Sequence, residues 1–172
     1  SVTKPKFLSP DSERPLDVQY RGSGYSPIAG YPRSRSRELM MEMMGESIIK
    51  ISDITKRIPK EEFIKEGQSS KCILSPFGWG EICGRDFEAF VYGGCMIKQD
   101  MSHCVTYPNA YQPGVTYVPL KWDFSDFKEK LSKATSPEYK ELAKKAQEYY
   151  KHFFTPEGRM DFAKHIVSEL ER

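Results

Sequence analysis

The sequence has no uninterrupted apolar stretch near the ~20 residues that would span a bilayer, and its N-terminus, SVTKPKFLSPDSERPL, has no apolar signal-peptide core. A membrane-spanning helix is therefore not expected. Paired metal ligands are missing too. Cys72, Cys83, Cys95 and Cys104 form no C-x-x-C pair, and His103 is the one histidine close to any of them. Neither a zinc site nor a disulfide framework is expected, and the thiols read as reduced and mostly buried. An excess of one charge is also lacking: 26 Lys and Arg against 24 Asp and Glu leave +2, so a nucleic-acid partner would need a local patch. These features suit a cytoplasmic protein, with the membrane face as a second place and the secretory lumen left open. What is present is a soluble composition, 38% hydrophobic and 29% charged over 172 residues, enough for one good core.

Along the chain, residues 1–16 are rich in Ser, Pro and charge and read as an arm or linker. From 17 to 135 strands alternate with helices. LDVQYRG reads as a strand, 23–32 as a Gly/Pro loop, and SRSRELMMEMMG as a helix with Leu39, Met40, Met43 and Met44 on its core face. A second strand is expected over 48–51, then a helix opened by Pro59, a third strand KCILS, and a helix RDFEAFVYGG with Phe87, Phe90 and Val91 inward. CMIK and TYVPLKW follow as the fourth and fifth strands. The alternation predicts a doubly wound, Rossmann-like α/β fold on a parallel sheet of about five strands. Residues 136–172 read as a helical extension, with starts at Ser136–Pro137 and Thr155–Pro156. Their apolar faces are expected to pack on the sheet or on whatever lies N-terminal to the chain.

In such a sheet, ligands gather beyond the carboxyl ends of the strands, where Gly-rich loops and helix N-termini approach anions. The run Ser75-Pro76-Phe77-Gly78-Trp79-Gly80-Glu81-Ile82-Cys83-Gly84 falls there, although it matches neither the P-loop nor the dinucleotide fingerprint. Glu88, about one turn into the next helix, has the chemistry to accept two hydrogen bonds from a sugar diol, or to be a solvated helical glutamate. His103 reads as a general acid or base, or as a surface-loop histidine.

The stretch SPFGWGEICGRDFEAFVYGGCMIKQDMSH, continued by TYPNAYQPGVTYVPLKWD, resembles the C-terminal, nucleotide-sugar-binding half of GT-B glycosyltransferases. It is most similar to the "glycosyl transferase group 1" proteins and their exostosin-like relatives. The resemblance implies that Glu88 binds the donor ribose, and that Gly80, Ile82, Cys83 and Gly84 face the donor sugar and its phosphates. The first glutamate of the family's E-x7-E pattern falls at Gly80, with Glu81 beside it; Glu81 and His103 are the candidate catalytic residues. A basic group near the diphosphate is implied, and Arg21, Arg33, Arg35 and Arg37 are the candidates, with Arg85 a further one. Guanidinium groups suit this role because they clamp the charge that builds on a leaving diphosphate. The RSRSR run also fits a solvated face or a patch for another polyanion. In the turn after the second strand, Arg57 and Ile58 are expected at the nucleobase.

The function expected on this basis is donor binding in a glycosyltransferase that moves a sugar from a nucleoside-diphosphate sugar to a glycan, lipid or protein. An acceptor-binding domain is expected N-terminal to this chain. No D-x-D motif is present, so no metal or other cofactor is expected, and no nucleic acid. A non-catalytic glycan- or partner-binding α/β module is the alternative.

Overall fold

The structure, a computed structural model, describes residues 5–22, 30–45 and 49–172. Its described elements are β1 (Leu16–Gln19), α1 (Gly30–Gly45), α2 (Lys60–Gln68), β2 (Ser70–Leu74), α3 (Gly84–Tyr92), β3 (Cys95–Gln99), β4 (Tyr117–Leu120), α4 (Phe127–Thr135), α5 (Tyr139–His152) and α6 (Pro156–Leu170). The strands form one parallel sheet in the order β1-β2-β3-β4. Every residue of β3 is buried, as a central parallel strand covered on both faces requires.

Side chains alternate between two apolar layers. Val18, Cys72, Leu74, Cys95, Ile97, Val118 and Leu120 face Leu39, Met40 and Met43 of α1 and Phe127, Leu131 and Ala134 of α4. Ile73, Met96 and Tyr117 face Ala89 and Phe90 of α3 and Ala146 of α5. Helices on both faces make the fold a doubly wound, Rossmann-like α/β layer, and the methionine stripe of α1 is core packing.

The sheet has four strands and not the expected five. The second strand is reduced to one parallel bridge, Ile51 to Val18, on the outer side of β1. Residue 48 lies outside the described residues. The Asp17 carboxylate takes the Lys50 N–H at 2.7 Å, and the Lys50 carbonyl accepts from Asp17 N at 2.7 Å. The polar side chain thus takes a donor that a longer ladder would have used. The order is still informative: from β1 the chain goes to Ile51 on one side, then returns to β2 on the other. This reversal defines a topological switch point between the carboxyl ends of β1 and β2.

Three local differences from expectation have plain causes. The Gly/Pro loop shortens because α1 starts at Gly30, with Pro32 tolerated in its first turn; residues 23–29 lie outside the described residues. Ser136 caps the C-terminus of α4, and α5 begins at Tyr139. Phe87 stays 38% exposed, leaning on Tyr150 at 5.6 Å, while Ala89 and Phe90 take the core. Thr155 caps α6 as expected, its Oγ1 accepting from Gly158 N at 3.0 Å.

Helix α5 packs on the sheet through Leu142, Ala143 and Ala146. Helix α6 instead leaves Ile166, Val167 and Leu170 exposed, and Tyr107 stacks on its His165 at 3.8 Å. Residues 5–15 are tied down at the sheet's opposite end. Arg14, 4% exposed, donates to the carbonyls of Gln68, Ser70, Ser9 and Tyr92. Among the described residues no helix is long and apolar enough to cross a membrane.

Candidate anion-binding crevice

At the switch point the chain leaves β1 and β2 toward opposite faces, which opens a crevice of about 280 Å³ lined by Tyr20, Arg21, Gly22, Arg33, Ser75, Pro76, Cys83, Gly84 and Arg85. Gly84 and Arg85 begin α3, so first-turn N–H groups and the positive end of that helix meet the crevice. Arg33 comes from the first turns of α1, and its backbone is held by the Tyr20 hydroxyl, which donates to Arg33 O at 3.0 Å. Arg85 lies over the Tyr20 ring at 5.4 Å. Burial pushes the Tyr20 phenol pKa up, and the positive fields of Arg85, Arg33 and Arg37 oppose that shift. Of the three guanidinium groups, Arg85 is the one stacked on the ring, and Arg33 lines the same crevice. Gly22 is required here, because a Cβ would lie 2.1 Å from the Tyr20 hydroxyl.

A second, larger cleft of about 690 Å³ adjoins the first at Arg21 and Gly22 and is lined by Arg37, Ile54, Thr55, Lys56, Arg57, Ile58, Lys60 and Phe63. Its floor combines apolar side chains with cations. Among the described residues, Arg33, Arg37, Arg57 and Arg85 have no carboxylate within 4.0 Å. Arg21 does: its Nη2 sits 2.7 Å from Glu66, and it also donates to Lys56 O. Its charge is largely spent on holding the wall between the two clefts.

The glycine loop is held from beneath by a buried hub. Asp86, the third residue of α3, accepts from Cys83 N at 3.0 Å, Ser75 Oγ at 2.5 Å and the Tyr111 hydroxyl at 2.8 Å. The Lys98 ammonium stands 3.2 Å from the same carboxylate, with both side chains fully buried. Lys98 also donates to Ser75 O at 3.3 Å and lies 5.1 Å from the centre of the Phe77 ring. Burial first, then the Asp86 charge, pushes the Tyr111 phenol up, so it remains a donor. The hub joins β2, β3, α3 and the 100–116 loop in one neutral cluster. It fixes the loop without adding net charge to the crevice.

The expected site residues divide. Arg21, Cys83 and Gly84 line the smaller crevice, and Arg21, Arg37, Arg57 and Ile58 line the larger cleft. Arg35 is not with them: it points away to Glu38 at 3.1 Å and Glu42 at 3.7 Å. Positions 33 and 37 share one helical face and 35 does not, a spacing signal readable from the sequence. Glu88 lines neither cleft; burial pushes its carboxyl up while Arg85 opposes. Gly80 and Ile82 are on the exposed rim of the loop and line neither cleft. Glu81 and His103 approach each other at 4.0 Å outside both clefts.

His103, Asp100 and Ser102 belong to a different hollow of about 420 Å³, shared with Pro119, Lys121, Trp122, Asp126 and Lys130. Lys98 is not on that surface but inside the hub. Asp86 and Tyr111, the centre of the hub, carry no motif. Asp86 was findable only as the acidic third residue of a helix that starts with a bare Gly-rich turn. Compared with known proteins, this chain matches no family model and no curated protein.

Proposed function

We propose that this chain binds a nucleoside-diphosphate sugar and serves as the donor-binding half of a glycosyltransferase acting on a glycan, lipid or protein hydroxyl. The observation that carries the reading is the pair of adjoining clefts at the switch point. The smaller one combines the α3 N-terminus with Arg33 and Arg85, which among the described residues have no carboxylate within 4.0 Å, and this suits a diphosphate. The larger one, with Ile54, Ile58 and Phe63 among cations, suits a nucleoside. The sequence resemblance supplies the sugar and the transfer step. Arg33 and Arg85 take the phosphate role in this reading, and Arg35 drops out of it.

A second reading, a nucleotide-binding module without transfer activity, is favoured by the position of Glu81 and His103 outside both clefts. The RSRSR run does not support a general polyanion surface, since its three arginines face different partners.

Titration calorimetry with UDP, GDP and ADP, in EDTA, tests the proposal. At least one nucleotide is expected to bind, and Arg33→Ala is expected to weaken it about tenfold or more, as loss of a charged hydrogen bond does. No binding by any of the three at millimolar concentration would overturn it. Sugar release from the matching nucleotide sugar, with an acceptor half supplied, separates the enzyme from the inert module.

A further inference from the structure

Three metal-ligating atoms meet on the other side of the glycine loop, and the proposed function does not use them. The Cys104 Sγ lies 3.2 Å from His103 Nε2, and the same nitrogen is 4.0 Å from Glu81 Oε1. All three ligand atoms fall within 4.8 Å of one another. A tetrahedral ion with bonds of about 2.0–2.3 Å holds its ligand atoms about 3.3–3.5 Å apart, so little movement separates this arrangement from a coordinating one.

Two of the three groups are already positioned. The turn that carries them is fixed by Asp100 N donating to Leu120 O at 2.9 Å, Met101 N to the Tyr117 hydroxyl at 2.9 Å and Cys104 N to Met101 O at 2.9 Å. Ser102 N and its hydroxyl both donate to Asp100. The imidazole is packed edge-on against Trp122 at 5.1 Å and tilted against Phe77 at 6.2 Å, with Nε2 left facing the thiol and the carboxylate. The movement needed falls on Glu81, which is exposed and makes no hydrogen bond among the described residues.

We infer that Glu81, His103 and Cys104 form a binding site for one borderline-soft divalent cation of the zinc or cobalt(II) type. Thiolate, imidazole and carboxylate together match that class and not magnesium or calcium. Two anionic ligands balance the ion's charge. Three protein ligands leave a fourth coordination position for water or a ligand atom, as in zinc sites that do chemistry. Bound metal would join the loop after β2 to the loop after β3. The spacing of the ligands along the chain conceals the site, because only His103 and Cys104 are neighbours in sequence.

The site is tested with cobalt(II) on the untagged, reduced full chain. A thiolate-to-cobalt absorption band saturating at one equivalent, and displaced by zinc, is expected. Cys104→Ser should abolish the band, Cys83→Ser should leave it, and His103→Ala and Glu81→Gln should each weaken binding about tenfold or more. No band with stoichiometric cobalt(II), or a band that survives Cys104→Ser, would overturn the assignment. The nucleotide titrations, made in EDTA, are independent of this result, so either proposal can fail alone.

Discussion

Two hollows open on the carboxyl edge of the same sheet, and they differ in kind. Between β1 and β2 the chain reverses direction, α1 and α3 start on opposite faces, and cationic groups converge on the gap. Beyond β3 and β4 there is no reversal. The β3–β4 connection carries no helix among the described elements, and its 100–116 loop lays Met101, Ala110 and Tyr111 on the sheet face. The second hollow is met by the N-terminus of α4, but the capping residue there is the carboxylate of Asp126, and the lining mixes Asp100 and Asp126 with Lys121, Lys130, His103 and Trp122. Cations line both hollows, and carboxylates line only the second, so positive charge is left uncompensated in the first. The lining of the first is cationic, and that of the second is mixed in charge.

The largest effect is expected from breaking the buried hub beneath the glycine loop. Asp86→Ala leaves the Lys98 ammonium buried without its partner, and such a loss costs about 3–5 kcal/mol. Urea unfolding checks this; a change under ~1 kcal/mol would mean that the hub does not hold that loop in place.

A middle-sized effect distinguishes the first crevice from the Glu81–His103–Cys104 group by their thiols. Burial drives the Cys72 pKa well up, and that of Cys95 to about 12. In the folded protein at pH 8 only Cys83 and Cys104 should label with iodoacetamide. The bound nucleotide should slow labelling of Cys83, which lines the first crevice, about tenfold, and leave Cys104 unchanged; zinc should do the reverse. Peptide mass spectrometry reads both sites at once, and equal protection of the two thiols by either ligand would erase the contrast.

The smallest effect belongs to Arg35→Ala. Its pairs with Glu38 and Glu42 are on the surface, where such pairs contribute about 0–1 kcal/mol. Stability should barely change and nucleotide affinity should not change at all, in contrast to Arg33→Ala.

Much of the fold was legible because period and punctuation agree locally. The continuous apolar runs CMIK and KCILS, the methionine stripe and the Thr155–Pro156 cap all sit where expected. Helix α4 was missed although Phe127, Leu131 and Ala134 recur at helical spacing and Asp126 with Glu129 has the spacing of a helix-start signal. The reduced second strand depends on where one Asp17 carboxylate points, which periodicity does not encode. At the candidate site, the sequence marked a loop and an arginine-rich helix that both reach the crevice, but not which arginine turns inward. Asp86 and Lys98 were the least legible, since a charge in a helix and a charge in a strand each look solvated until the fold brings them together.

That buried amine has a practical consequence. Lys98 is wholly enclosed and bonded on two sides, so an acylating reagent reaches it only when the interior opens. Among many surface lysines that react at once, its slow modification would time the opening of the whole interior, a clock built into the strand beneath the glycine loop.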